Sequence, residues 1–239
     1  AIYISDIVKE GKLIINECKF NENFATTEGQ AIYDTNSLNQ FILANTNFVN
    51  NLNTEITNSE QYMIVLTTDK IDISHVKFES NSNQISYPIL FKGISLISNL
   101  EFNDVNSTNS ALLVIPSYQN ENNFDNVSFI NCYSKDYIIH TRGDLSYSNS
   151  KILFDEHSVI KAFRLELGEN IQLNNIQIIN CGGGVLVNEN IKDSYIDNCY
   201  FMDCYNSGSD DFVVIISNQK CIFSHNIINF TTNEQSMKG

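Results

Sequence analysis

The chain has 239 residues, with 14 Lys and Arg against 28 Asp and Glu, a formal charge of −14. A surface this acidic repels phosphate backbones and argues against a nucleic-acid binder, and no apolar run reaches the ~18 residues of a membrane span. The 35 Asn and 32 Ile, beside two Pro and no Trp, point to strands and polar turns.

The opening Ala1-Ile2-Tyr3-Ile4 matches Ala31-Ile32-Tyr33 and reads as the second strand of a coil. A phrase then recurs, an aromatic residue or Ile among alternating residues, followed by a polar turn. It reads Cys18-Lys19-Phe20-Asn21-Glu22-Asn23, then Thr46-Asn47-Phe48-Val49-Asn50-Asn51, then Val76-Lys77-Phe78-Glu79-Ser80-Asn81. Later anchors are Phe102, Phe129, Phe154, Ile178, Phe201 and Ile228. Their mean interval of ~26 residues is in the solenoid range. Positions five and two before the anchor are mostly apolar or Cys, and the position just before it is mostly polar. That is the period of a half-exposed strand.

A second apolar run follows each turn, at 31–33, 63–66, 89–91, 112–115, 137–139, 159–163, 185–187 and 212–216. A third, such as Phe41-Ile42-Leu43 or Ile71-Asp72-Ile73, leads back to the anchor. Three short strands per ~26 residues predict an all-β chain, a single right-handed parallel β-helix of about nine coils. It forms one domain over residues 1–239. Stacking like on like places Phe20, Phe48, Phe78, Phe102, Phe129 and Phe154 in one interior column. Asn23, Asn51 and Asn81, three residues past successive anchors, are expected to form an amide ladder. Residues 51–61 read as a polar loop, and Gly182-Gly183-Gly184 as a tight turn. Neither end shows the polar cap of a finished solenoid, so the chain is expected to be part of a longer β-helix.

The Phe-x-x-Asn turns, at Phe20 to Asn23, Phe48 to Asn51 and Phe78 to Asn81, accompany the strand start Gly29-Gln30-Ala31-Ile32. Together they resemble the polymorphic outer-membrane protein repeats of chlamydiae, with Gln30 where that motif has a second Gly. The resemblance covers the first third of the chain. It implies a right-handed parallel β-helix that carries adhesion at a cell surface or outside the cell.

Pectin-degrading enzymes use such a fold, which makes a polysaccharide lyase or glycoside hydrolase the rival reading. The chain has only two Arg, Arg142 and Arg164, to stabilise developing charge, and one adjacent Asp pair, Asp210-Asp211, with Asp203 nearby. No His or Lys motif accompanies them, and no catalytic residue is assigned. His75, His140, His157 and His225 lack metal-ligand spacing. His157 shares its anchor offset with Cys132, Cys181 and Cys204, but a straight column does not make a tetrahedral site. No metal or cofactor is expected. Of the six cysteines, Cys181 and Cys204 lie on neighbouring coils and are the best disulfide pair. Cys18 and Cys199 fall on interior positions, and most of the thiols are expected to be free.

Asn106, Asn126 and Asn229 head N-glycosylation sequons. Arg142-Gly143-Asp144 has the form of an adhesion tripeptide. The second strand does not alternate, so one side of it should leave an apolar strip along the rod. The candidates are Ile64 or Val65, Leu90, Leu113, Val114, Leu186, and Val214 or Ile215. Such a strip exceeds what a monomer leaves exposed, so a protein partner or a second copy is expected to pack there, with a glycan as a further ligand. The expected function is a non-catalytic adhesive or structural module.

Overall fold

Residues that alternate Ile, Val and Phe with Asn, Ser and Thr can bury one side of an extended chain, and strands are the result. In a computed structural model the described residues are 2–4, 11–23, 31–34, 38–50, 63–80, 89–91, 93–107, 111–115, 121–134, 137–156, 158, 160–166, 168–204 and 213–229. They contain strands and turns and no helix. Every strand pair is parallel and joins a segment to its copy one coil on. The molecule is therefore a parallel β-solenoid.

Each coil has a short strand and a long one. The short series begins Ile2–Ile4, Ile32–Asp34, Ile64–Leu66 and Ile89–Phe91, and continues as Ala111–Ile115, Tyr137–Arg142 and Lys161–Glu166. The long series runs Leu38–Val49, Lys70–Glu79, Ile94–Asn103, Glu121–Ile130, Asp144–Leu153 and Asn170–Ile179. Further on, Gly183–Asp197 and Val213–Ser224 merge both kinds. Two of the three strands expected per coil are thus the two arms of one long strand. The solenoid makes about six turns rather than nine. The excess lies at the ends: Phe20, Phe201 and Ile228 sit on three-residue strands, Phe48, Phe78, Phe102, Phe129 and Ile178 ride long ones, and Phe154 lies one residue past Asp144–Leu153.

The bend between the arms explains much of the Asn. Glu17, Asn45, His75, Asn99, Asn126, Asn149, Asn175, Asn198 and His225 all have φ between 48° and 54°. Each lies three residues before its anchor, with Ile152 in the anchor's place after Asn149. A second column, two residues after the anchor, holds Glu22, Asn50, Asp104, Asn131, Asn180 and Asp203. Together they account for every left-handed non-glycine residue described. The left-handed region costs most side chains about 1–2 kcal/mol, and Asn and Asp tolerate it best. Amide bonds between coils form here: Asn126 Nδ2 donates to Asn99 Oδ1 at 2.7 Å, and Asn175 Nδ2 to Asn149 Oδ1 at 2.8 Å. Asn51 and Asn81 lie outside the described residues.

The same corners explain the cysteines. Cys18, Cys132, Cys181, Cys199 and Cys204 each directly follow a left-handed residue. A small donor there reaches the carbonyl two positions back. Cys132 and Cys199 do so at 3.3 Å, Thr46 at 2.7 Å and Ser150 at 2.5 Å.

Inside, Phe20, Phe48, Phe78, Phe102 and Phe129 stack with ring centroids 4.6–4.8 Å apart and planes within 10°. The rung spacing of ~4.8 Å dictates this distance. The next member is Ile152, paired with Phe129 on one side and Ile178 on the other, and not Phe154. The interior column accepts Ile in place of Phe, so residue type misplaced this anchor by two. Phe154 instead packs edge-on against Tyr133, at 5.6 Å. Tyr147 is fully buried five residues before Ile152, and its hydroxyl donates to the Val127 carbonyl at 3.2 Å.

Phe102 has a stacked ring on both sides and is almost fully buried. Phe102→Ala is expected to lower stability by about 3–5 kcal/mol, read as a lower urea midpoint with an unchanged far-ultraviolet strand signal.

Candidate functional site

Parallel register turns the short strands into columns. One column runs Ile2, Ile32, Ile64, Ile89, Leu113, Ile139, Phe163. Those described as buried in it include Ile64 and Leu113, which belong to the core and offer nothing to a partner. The next column runs Tyr3, Tyr33, Val65, Leu90, Val114, His140, Arg164, and backbone register continues it through Leu186 and Val214. Ile215 shares a column with Leu165, which is buried.

The expected seven-coil apolar strip is not what this outer column holds. Val65 and Leu90 form a small cluster with Tyr33 and Val114, separate from the core. They are only 5% and 9% exposed, while Val114 is half-buried. The next two coils then place His140 and Arg164 in the same column.

These two polar positions belong to a cluster. His140 pairs with Arg164 across adjacent coils, and Arg142 pairs with Glu166. Residues two apart on a strand share a face, so all four side chains converge. The Glu166 side chain is 8% exposed and takes Arg164 Nε at 2.5 Å and Arg142 Nε at 3.1 Å, with His140 Nε2 at 3.4 Å. Tyr137 and Lys161 pair just before them. The Tyr137 ring lies under Arg164 at 5.5 Å and Lys161 at 5.9 Å, both within cation–π range. The two arginines of the chain therefore meet on one buried carboxylate, on the outside of the solenoid.

Burial alone would raise the Glu166 carboxyl. Hydrogen bonds from Arg164 and His140, the Arg164 charge and the Arg142 bond outweigh it and bring the pKa down to about 2. Burial lowers His140, against the pull of Glu166 upward. Glu166 is thus a fixed anion and not a proton donor near neutral pH. It holds two guanidiniums in place.

The tripeptide Arg142-Gly143-Asp144 turns the chain from this face into the next long strand. Gly143 has φ 130°, a conformation closed to other side chains at this corner. Below it, a Cβ on Gly168 would lie 2.5 Å from the Gly143 carbonyl oxygen. Asp144 Oδ1 accepts the backbone N–H of Glu169 at 2.6 Å and of Asn170 at 2.9 Å. The Arg142 and Asp144 side chains are both engaged within the chain.

Of the sequons, Asn126 is a left-handed corner whose Nδ2 bonds Asn99. Asn106 forms a backbone bridge with Tyr133 beside a buried Ser107. Asn229 is exposed at the end of Ile227–Asn229. Asp210-Asp211 and His157 lie outside the described residues. Among those described, no three His, Cys, Asp or Glu gather as a metal site, and no helix is long and apolar enough to cross a membrane. A shallow groove of about 450 Å³ follows the long strands past Asp72, Ser98, Asn123 and Asp125.

All six cysteines are free thiols, so Cys181 and Cys204 are not joined. Cys181 Sγ lies 2.7 Å from the Ile160 carbonyl, and Cys204 Sγ 3.5 Å from that of Ile178.

No family model, curated protein or solved structure matches the chain. Sequence reasoning took the second strand as uniformly apolar and so missed the cluster. The available signal was a repeat: Tyr137, His140 and Arg142 recur as Lys161, Arg164 and Glu166 at one constant offset.

Burial pushes the Cys132 thiol up to about 12 and those of Cys199 and Cys204 to about 11. Iodoacetamide at pH ~8 should therefore label Cys18 and Cys221 in the native protein and spare the four buried thiols until denaturant is added. Peptide mapping reads this, and a Cys181–Cys204 peptide in the unreduced digest would contradict it.

A depressed carboxylate pKa contributes stability above its ordinary value and loses it as pH falls through the folded value. Glu166 should contribute stability at neutral pH that is lost as pH falls from 4.5 to about 2. Protonation of His140 should also disfavour the fold as pH falls through the ordinary His range, because its folded pKa is lowered. Denaturant midpoints across that range measure both, and Glu166→Gln should remove the lower step.

Proposed function

We propose that the chain is a non-catalytic adhesive or assembly module of a cell-surface or extracellular β-solenoid, engaging its partner laterally on the short-strand face. The observation that carries this reading is the convergence of Arg142 and Arg164 on Glu166 in a chain of charge −14. Burying a carboxylate costs free energy that its guanidinium partners offset, and the arrangement leaves both guanidiniums half-exposed with fixed directions. Arg and Tyr are also the side chains that most often dominate binding energy at protein interfaces. Half-buried Val114 continues the face toward the preceding coil.

The resemblance of the Phe-x-x-Asn turns to polymorphic outer-membrane protein repeats supports adhesion and a surface location. The rival reading is a carbohydrate-active enzyme. A glycoside hydrolase needs a carboxyl group able to donate a proton near neutral pH, a role Glu166, held ionised far below that, cannot fill.

The test is retention of protein-coated beads on intact cells. An Arg142→Ser/Arg164→Ser variant should lose most of the retention, and the long-strand control Ser98→Lys should keep it. Equal retention by all three proteins, or release of new reducing or unsaturated ends from polysaccharides, would overturn the proposal.

A further inference from the structure

We infer that the outer face of the long strands carries a second binding site, a groove that takes a neutral β-linked oligosaccharide lying along the solenoid axis. It lies on a different face from the lateral contact and does not depend on it.

Register builds the groove. One column runs Asp72, Leu96, Asn123, Ser146 and Gln172, each a single coil from the last. The residues that follow them along the chain, Ile73, Ile97, Phe124, Tyr147 and Leu173, are buried, so the column faces outward. Two hollows, of about 450 and 260 Å³, lie along it and share Asn123 and Ser146. Four rung steps separate Asp72 from Gln172, or ~19 Å at ~4.8 Å per rung.

The side chains on this line are open to a ligand. Elsewhere outward amides and hydroxyls close on the next coil, as Asn126 does on Asn99 and Ser224 on Asp197. Asn123, Ser146 and Gln172 make no side-chain hydrogen bond among the described residues. Asp72 accepts from Gln40 at 2.8 Å through Oδ2, and Asp125 accepts from Ser148 and Asn149 at 2.9 and 2.6 Å through Oδ1. Each carboxylate is held through one oxygen and keeps the other. Leu96 is 53% exposed on the same line, and Ile94, two residues before it on the same face, is 42% exposed.

This combination suits a sugar. A hexose offers hydroxyls that both donate and accept, together with an apolar C–H face. Amides, hydroxyls and carboxylates match the first, and Leu96 matches the second. No Lys, Arg or His is among the described residues lining either hollow, and Glu121 and Asp144 add two carboxylates. An acidic sugar or a phosphate is therefore repelled. A polypeptide fits less well, because the backbone of the long strands is already used in the ladder between coils and no segment can add there as a strand. The rung interval is close to the rise per residue of an extended β-linked hexose chain, so successive rings meet successive coils.

Isothermal titration tests this with cellotetraose, mannotetraose and N-acetylchitotetraose, against the matching monosaccharides and tetragalacturonate. At least one neutral tetrasaccharide should bind, its monosaccharide at least about tenfold more weakly, with no weakening as salt is raised. Asn123→Ala/Gln172→Ala should reduce that binding about tenfold or more, and Leu96→Ser about threefold or more. All three positions are exposed, so melting temperatures should stay at the parent value. An Arg142→Ser/Arg164→Ser protein should bind the sugar like the parent. No binding of any neutral tetrasaccharide would overturn the inference, as would binding left unchanged by either groove variant or tighter binding of tetragalacturonate. Loss of the sugar in the arginine variant would place it on the short-strand face and overturn the inference as well. If the titration fails while cell retention still depends on Arg142 and Arg164, this inference falls and the lateral-contact reading stands.

Discussion

A backbone ladder that must repeat in register from coil to coil governs the rest of this molecule. Parallel strands one coil apart hydrogen-bond only if each coil bends at equivalent places. The chain makes those bends with single left-handed residues, three before and two after each anchor. A left-handed residue reverses the local path without spending an extra loop, so both arms of the long strand stay in the ladder. The two columns act together as hinge pins. Asn suits them because its short amide tolerates the conformation and bonds to the coil beside it, as Asn126 does to Asn99.

The contents of the interior follow from that ladder. Because rungs sit one strand spacing apart, side chains above one another must be alike in shape or yield to one another. Five phenylalanines stack face to face at 4.6–4.8 Å, and Ile152 and Ile178 then take over the column without a break in the register. Next to each corner there is space for a small donor only. Cys, Thr and Ser take turns there, bonding to the carbonyl that precedes the left-handed residue. The cysteines are in this sense part of the corner geometry and not of a disulfide framework.

The exterior is less constrained, and the chemistry appears there. The outer side of the short strand changes from Val65, Leu90 and Val114 to His140 and Arg164 with no change in backbone path. The buried Glu166 carboxylate has one plausible physical role, to fix the directions of two guanidiniums against the stacked ring of Tyr137. A polar network of this kind is stable only when each charged member has its partner. The same network keeps its central anion through mild acid, since the carboxylate carries its charge down to about pH 2.

The amino-acid sequence by itself determined the solenoid, the parallel stacking of its coils and the aromatic column through Phe129. Those features depend on side-chain type recurring at a regular interval, and recurrence is visible in one dimension. Residue type failed where the column accepts either Phe or Ile, which is why Phe154 stood in for Ile152. It also failed to separate three strands from two arms of one bent strand, because φ at a single Asn is not written in its neighbours. The core position of Ile64 and Leu113 and the outward position of Val65 and Val114 needed the register, since a one-residue shift exchanges the two faces. The convergence of Arg142 and Arg164 on Glu166 was decided by tertiary structure, although the constant offset between the two segments is present in the sequence. Arg142 lies more than twenty residues from Arg164 and Glu166, and only the pitch of the coil brings the buried carboxylate beneath both guanidiniums.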